Sequence, residues 1–108
     1  MTKIQQLTLE FGEYLKDESR SCGHADTISF PRTTDDVRQV LAELAGLDEE
    51  RGACTPVCVQ GGRTGLAAGA VPASGHVMNL SKMNAYLGMR ACDDGRGATR
   101  LFVRVQPG

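Results

Sequence analysis

The sequence lacks any apolar run that approaches the roughly 20 residues needed to cross a bilayer. Its start, MTKIQQ, is followed by polar residues and does not form a secretory signal, so we expect a cytoplasmic protein. It also lacks an excess of either charge, because 12 Lys and Arg residues face 13 Asp and Glu residues, for a net charge of -1. This balance gives no electrostatic basis for binding nucleic acid or an anionic membrane, and we expect neither partner.

Metal-binding spacing is missing as well. The four cysteines, Cys22, Cys54, Cys58 and Cys92, include no Cys-x-x-Cys pair, and Cys54 and Cys58 lie around a predicted strand. His24 follows Cys22 by two residues, but one such pair does not make a zinc site. We therefore expect no metal, and we interpret the cysteines as reduced thiols.

What the sequence does contain is the composition of one small soluble domain, 41% hydrophobic and 23% charged over 108 residues. Near the start, Thr2 and Gln5 resemble a capping box, and apolar residues then recur at helical spacing. This pattern predicts an N-terminal helix that ends near Lys16, followed by a polar connection over 17–23. The apolar residues concerned are Ile4, Leu7, Phe11, Tyr14 and Leu15.

The middle of the chain predicts a strand, a helix and a second strand. Residues 27–30 form a short β pattern that stops at Pro31, and Thr33 then has the position of a helix N-cap. Five apolar residues follow at spacings of three and four, and residues 46–52 form an acidic, turn-rich exit. A strand over 56–60 completes what we interpret as a parallel βαβ unit of an α/β (α+β) domain. The five helical residues are Val37, Val40, Leu41, Leu44 and Leu47.

A glycine-rich segment follows this second strand directly. Converging N–H groups of such a segment form a cavity suited to an anion, commonly a phosphate. The segment lacks the Gly-Lys-Ser/Thr ending of a Walker loop, and no amphipathic helix follows it as in a dinucleotide fingerprint. We therefore predict an extended diphosphate-binding loop that crosses from strand to strand. Its residues include Gly61, Gly62, Arg63, Thr64, Gly65, Leu66 and Gly69.

The last third of the chain predicts two more strands. Residues 72–75 form a turn before a strand over 76–80, whereas residues 86–98 are predicted to be loose, with a turn over 93–97. Alternation over 101–105 indicates a final strand. A two-stranded ribbon alone is marginal in water, so we expect this strand to pair back onto the earlier sheet or the chain to be the front piece of something larger.

Four segments together indicate a family: ISFPRTTDDVRQVLAEL, PVCVQGGRTGLAAGAVP, VMNLSKMN and VRVQPG. In this order and spacing, about residues 14–108 resemble the N-terminal half of the FAD-binding domain shared by vanillyl-alcohol oxidase and p-cresol methylhydroxylase (PCMH). The resemblance is strongest to the branch that contains the flavin-dependent D-lactate and D-2-hydroxyglutarate dehydrogenases and the D subunit of glycolate oxidase. We therefore divide the chain into an N-terminal helical arm and connection over 1–25, which the apolar spacing predicts, and the N-terminal portion of a PCMH-type FAD-binding domain over 26–108, which the resemblance implies.

The resemblance also implies a cofactor and its site. The family's helix start is matched by Pro31 and Thr33, and the loop that wraps the FAD pyrophosphate is matched by residues 61–69. Arg63 and Ala68 stand where many members have glycine or another small residue. No histidine lies between 61 and 69, so the implied FAD is non-covalent at this site. The implied cofactor-binding residues are Pro31, Gly61, Gly62, Arg63, Thr64, Gly65, Leu66 and Gly69.

Four hypotheses follow. The first is the N-terminal part of an FAD-dependent oxidoreductase acting on a 2-hydroxy acid, which works with the remainder of the flavoprotein or with a complementing subunit. The second is a free-standing nucleotide-binding module, and the third is a truncated chain that neither binds nor catalyses, or only associates with another subunit. The fourth, a cysteine-based metal or redox site, is disfavoured by the spacing. We assign no catalytic residue in this chain.

Overall fold

The computed structural model describes residues 2–108, which form a mixed α/β fold with two helices and two sheets. A 3-10 helix and one α-helix, α1, accompany six strands. Their bounds are β1 Gln5–Gln6, the 3-10 helix Leu9–Leu15, β2 Thr27–Ser29, α1 Thr34–Arg51, β3 Val57–Gln60, β4 His76–Asn79, β5 Tyr86–Asp93 and β6 Thr99–Val105.

The larger sheet has the strand order β1-β2-β4-β3. Both β2 and β3 run parallel to β4, and β1 is antiparallel to β2 at one edge. The predicted strand–helix–strand unit is therefore confirmed, but β4 lies between the two strands that α1 connects. All three parallel strands end at the same edge of the sheet.

Helix α1 begins where the sequence predicted. The Thr33 side chain accepts a hydrogen bond from the backbone N–H of Asp36 at 3.0 Å, which caps the first turn. The predicted exit over 46–52 is wrong, because the helix continues through Gly46 to Arg51 and ends at Gly52, whose φ of 63° is left-handed. Gly46 is tolerated inside the helix because its cost relative to alanine is only about 1 kcal/mol.

The core lies on both faces of the larger sheet. On one face, Val40 and Leu44 of α1 pack against Met78 of β4. On the other face, Ile28 and Val77 form the centre of a second cluster. This second cluster is covered by the partly buried side chains of Leu7, Phe11, Tyr14, Leu15 and Phe30.

The predicted N-terminal helix is wrong. Gln5 and Gln6 instead form β1, pairing with Ile28 and Thr27, and only residues 9–15 are helical, as a 3-10 helix. The physical reason is that the apolar residues do not share one surface. Ile4 packs with the α1 cluster, whereas Leu7 packs with the cluster on the opposite face, so the chain must pass the sheet edge between them. A continuous helix would place both on one side.

The second sheet is a two-stranded antiparallel ribbon of β5 and β6. Residues 86–93 were predicted to be loose, and this prediction is wrong, whereas the turn over 93–97 and the final strand are confirmed. The final strand pairs with β5 and not with the earlier sheet. The ribbon extends the molecule, whose radius of gyration is 17.4 Å, against about 13 Å for a compact domain of this length.

The two faces of the ribbon differ in chemistry. Directly paired residues lie on the same face, so the register divides the side chains into an apolar face and a basic face. We call the first the apolar ribbon face. It contains Tyr86, Met89, Ala91, Leu101, Val103 and Val105, with the polar pair Asp93 and Thr99 at its end next to the turn. The opposite face contains Arg90, Cys92, Arg100, Phe102 and Arg104. The apolar ribbon face is exposed to solvent.

Within residues 2–108, no helix combines the length and apolar character required of a transmembrane segment.

Candidate functional site

The candidate site lies at the edge where the three parallel strands end. Pro31 follows β2, Gly61 follows β3 and Leu80 follows β4. Open α/β sheets bind their ligands at this edge. The connection from β3 to β4 contains bends, a turn and irregular residues but no helix, so the predicted crossing from strand to strand without a helix is confirmed.

The backbone of this connection is open. Among the residues that the structure describes, no N–H of residues 62–69 donates a hydrogen bond to another backbone group. A Cβ added at Gly62 would lie 3.8 Å from its nearest neighbour, and at Gly65 or Gly69 it would meet nothing within 4 Å. The fold itself therefore does not require these glycines. Their small size leaves space beside unpaired N–H donors, which is what an anion-binding loop needs.

The left-handed backbone in this loop does not fall on glycine. Within residues 61–69, Arg63 has φ 58° and Ala68 has φ 63°, whereas none of the glycines has a positive φ. A left-handed conformation costs a residue with a Cβ about 1–2 kcal/mol. The rest of the structure must hold both residues in place.

A buried amide network fixes the two ends of the loop. Gln60, at the end of β3, is 1% exposed. Its Nε2 donates to the carbonyl oxygen of Tyr14 at 2.6 Å and to that of Ala70 at 2.7 Å. Its Oε1 accepts from Asn79 Nδ2 at 2.9 Å. Sequence reasoning missed this pair, although two amides ending neighbouring parallel strands are a detectable signal.

Arg63 is fixed against the 3-10 helix. One of its guanidinium nitrogens donates to the carbonyl oxygen of Glu13. Its Cζ lies 4.6 Å from the centroid of the Tyr14 ring, a cation–π distance. No carboxylate lies within salt-bridge distance of Arg63 in the described part of the chain. The guanidinium therefore keeps donors that no protein group uses.

The shallow cavity beside Gly62 has mixed charge. Its charged lining residues are three carboxylates and two cations, namely Glu13, Asp17, Glu18, Lys16 and Arg63. Hydrogen bonds, chiefly from the Ser19 side chain, hold the pKa of Asp17 below its ordinary value, so this carboxylate stays charged. Only the two cations offset the repulsion that an anion would meet here, which makes the Arg63 charge important to any anion at the loop.

The remaining predicted site residues differ in accessibility. Leu66 is 81% exposed, and Thr64 is also exposed. Pro31 is fully buried at the end of β2 and presents no side-chain surface to a ligand. The structure thus brings residues 61–69 together in one loop, while Pro31 lies at the same sheet edge but beneath the surface.

The chain's last residues also reach this edge. Gln106 Nε2 donates to the carbonyl oxygen of Arg32 at 3.2 Å, and the Gly108 N–H donates to that of Met83 at 2.9 Å. A Cβ at Gly108 would lie 1.7 Å from the Leu80 carbonyl oxygen, so only glycine fits there. These contacts tie the base of the ribbon to the edge that carries the loop.

Among the described residues, the one strongly perturbed titratable group lies at the opposite end of β4. His76 is fully buried, and its ring nitrogens are 2.8 Å from Thr27 Oγ1 and 2.8 Å from Ser29 Oγ. Burial lowers the pKa of His76 to about 4, only partly opposed by the Glu43 charge. Both ring nitrogens have partners within the fold, so His76 is a structural residue.

The four cysteines are free thiols, with Cys22 and Cys54 exposed. Burial raises the pKa of Cys58, and the nearby Asp17 charge adds to this effect, so the thiol is held in its protonated form. Across residues 2–108, no group of three or more His, Cys, Asp and Glu side chains is placed to hold a metal ion.

No protein-family model and no curated protein sequence matches this chain.

Proposed function

We propose that the protein binds FAD non-covalently, with the diphosphate held by the loop over residues 61–69. In this proposal the chain is the N-terminal, PCMH-type part of a flavin-dependent oxidoreductase acting on a 2-hydroxy acid of the D-lactate, glycolate or D-2-hydroxyglutarate type. The partners are FAD and either the remainder of the flavoprotein or a complementing subunit.

The observation that carries the proposal is that, within the described residues, the backbone N–H groups of 62–69, which follow the carboxyl end of β3, donate no hydrogen bond to the protein backbone. Unpaired donors, side-chain-free glycines and a parallel sheet edge are the features with which proteins bind phosphates. The four matched sequence segments supply the choice of a flavin nucleotide over other phosphates. The substrate class rests on that resemblance alone.

The residues present fit a diphosphate in chemical terms. N–H groups of 62–69 would hold its oxygens, Thr64 offers an exposed hydroxyl, and Arg63 offers a charge without a carboxylate partner. When bound, FAD would supply the capacity to accept a hydride from a 2-hydroxy acid. The chain's own contribution is to bind and orient the nucleotide, and we assign it no catalytic residue.

A flavin-fluorescence titration tests the proposal. We expect FAD to bind with high-micromolar affinity, because an exposed loop must be ordered at a cost in binding free energy. Inorganic pyrophosphate should compete with FAD, whereas riboflavin, which has no phosphate, should bind much more weakly. FAD and riboflavin binding equally well would contradict a diphosphate site.

The Gly62→Val substitution tests the location of the site. The position has no positive φ and 3.8 Å of space around a new Cβ, so the fold should be retained while the branched side chain blocks the approach of phosphate. Gly46→Val in α1, where a new Cβ meets nothing within 4 Å, is the matched control and should bind as the wild type does. Equal affinity in both variants would remove the loop from the proposal.

A second candidate function, association with another subunit, is favoured by the ribbon. Its apolar face carries side chains such as Met89, Leu101 and Val103 at 57–65% exposure. Exposed apolar patches of this kind mark interaction surfaces. If association is the function, Val103→Asp should abolish it and leave FAD binding unchanged, as measured by sedimentation velocity with the candidate partner.

A further inference from the structure

We propose that Tyr14 is a positioning residue for the loop over 61–69. Its contact with Arg63 holds the loop, including the N–H groups that have no backbone acceptor, in the conformation that binds a diphosphate. This inference rests on the proposed function. It assigns a role to the 3-10 helix, which the sequence motifs do not include.

Arg63 has a strained backbone conformation. A left-handed arginine is disfavoured by its own Cβ, so its φ of 58° persists only if contacts elsewhere stabilise it. Those contacts are the hydrogen bond to the Glu13 carbonyl oxygen and the Tyr14 ring 4.6 Å from the guanidinium carbon. Both belong to the C-terminal end of the 3-10 helix.

Tyr14 is itself held in place by contacts of its backbone and of its ring. Its carbonyl oxygen accepts the 2.6 Å hydrogen bond from buried Gln60. Its ring packs edge-on against Phe30 with centroids 5.1 Å apart, and Phe11 lies 6.2 Å away. Because Tyr14 is held by the core and contacts Arg63, it fixes the position of the Arg63 side chain relative to the core.

The loop over 61–69 is attached to the rest of the fold at its start, at its end and at Arg63. Gln60 fastens the loop at its start and, through the Ala70 carbonyl oxygen, at its end, while Tyr14 fastens it at Arg63. Residues 64–69 between these points have no backbone hydrogen bonds from their N–H groups in the part of the chain described. Loss of the middle attachment would leave a flexible loop that must be ordered on binding, which weakens affinity. It would also displace a charge that offsets three neighbouring carboxylates.

A double-mutant cycle tests this role, with inorganic pyrophosphate as the ligand and the loop amide NMR signals as the readout. We expect Tyr14→Leu to weaken binding about fivefold, and Tyr14→Phe, which keeps the ring, to stay within about twofold of wild type. In an Arg63→Gln background, Tyr14→Leu should cause no further loss. Tyr86→Leu, an exposed tyrosine of the ribbon, is the control and should have no effect.

The outcomes separate the two proposals. A merely structural Tyr14 would weaken binding equally in both backgrounds, and that additive result would overturn this inference while leaving the proposed function standing. Failure of the wild-type loop amides to respond to pyrophosphate at all would overturn the proposed function, and this inference with it.

A measurement on the unaltered protein covers the case in which Tyr14→Leu does not fold. The Tyr14 ring current should shift the Arg63 side-chain proton signals upfield, both without ligand and at saturating pyrophosphate. Signals at ordinary positions without ligand, or an upfield shift that disappears on binding, would overturn the positioning role.

Discussion

Acidification should destabilise this fold well above the pH at which its carboxylates titrate, and His76 is the reason. Burial lowers its pKa from 6.5 to about 4, so between these values the unfolded chain binds a proton that the folded chain does not. The stabilisation is complete above pH 6.5 and is lost as the pH falls toward 4. One pKa unit corresponds to about 1.4 kcal/mol, which gives an upper limit of about 3 kcal/mol, about 2 kcal/mol of it lost by pH 5.

The carboxylates with perturbed pKa values affect the stability of the fold at a lower pH than His76 does. Hydrogen bonds lower the pKa values of three carboxylates below 3.8. The largest contribution comes from the Ser19 side chain for Asp17, from the Arg32 backbone for Asp36 and from the Thr55 side chain for Asp48. Their stabilisation is present above pH 3.8 and is lost below it. A fall in the free energy of unfolding between pH 7.5 and pH 5 is therefore assigned to His76 rather than to these groups.

The assay is urea denaturation followed by far-ultraviolet circular dichroism at pH 7.5, 6.5, 5.5 and 5.0. His76→Gln should be less stable than wild type at pH 7.5, because it vacates part of a buried, hydrogen-bonded site, but it should lose the pH dependence. His24→Gln is the matched control, since its side chain is exposed, and should keep it. An unfolding free energy of the wild type that does not change from pH 7.5 to pH 5, or a His76 ring that titrates near 6.5 by NMR, would refute the reasoning.

Three further predictions concern backbone and packing. Gly23→Ala should destabilise the fold by several kcal/mol, because its Cβ would lie 2.0 Å from the Pro72 carbonyl oxygen, whereas Gly65→Ala, with nothing within 4 Å, should change the midpoint of urea denaturation little. Ala68→Gly should stabilise the protein by about 1 kcal/mol by relieving a left-handed φ, and a lower thermal midpoint would contradict this. Amide hydrogens of the ribbon should exchange far faster than those of β4, because a two-stranded ribbon without a packed face is marginal; equal protection would show that the ribbon is stabilised by something other than its own pairing.

The sequence predicted best where local chemistry and tertiary packing agree. Thr33 is a strong N-cap signal and the structure uses it as one, and the short β pattern before Pro31 becomes β2. The strand before the glycines and the absence of a helix after them were also predictable, since glycine-rich segments rarely continue as helices. The edge at which the loop lies followed from these elements alone.

The failures share a different cause, because each depended on information outside the local segment. Residues 86–93 look irregular, since Gly88 interrupts the alternation with a bulge and a φ of 124°. Only the pairing with β6 identifies them as a strand. The left-handed conformations of Arg63 and Ala68 were likewise invisible, because intrinsic preference places positive φ on the neighbouring glycines. Contacts with the 3-10 helix decide the case for Arg63.

The misassigned N-terminus connects these failures to the candidate site. A long N-terminal helix would have presented Ile4 and Tyr14 on related faces, far from any role in the loop. The structure instead sends the chain across the sheet edge as β1 and then lays the 3-10 helix on the opposite face, where Tyr14 meets both Gln60 and Arg63. Residues 9–15, which were predicted to belong to a separate N-terminal helix, thus pack against the loop and hold Arg63 in place. We therefore expect substitutions in residues 9–15 to alter the conformation of the candidate site through Tyr14. The glycine pattern alone does not predict this effect.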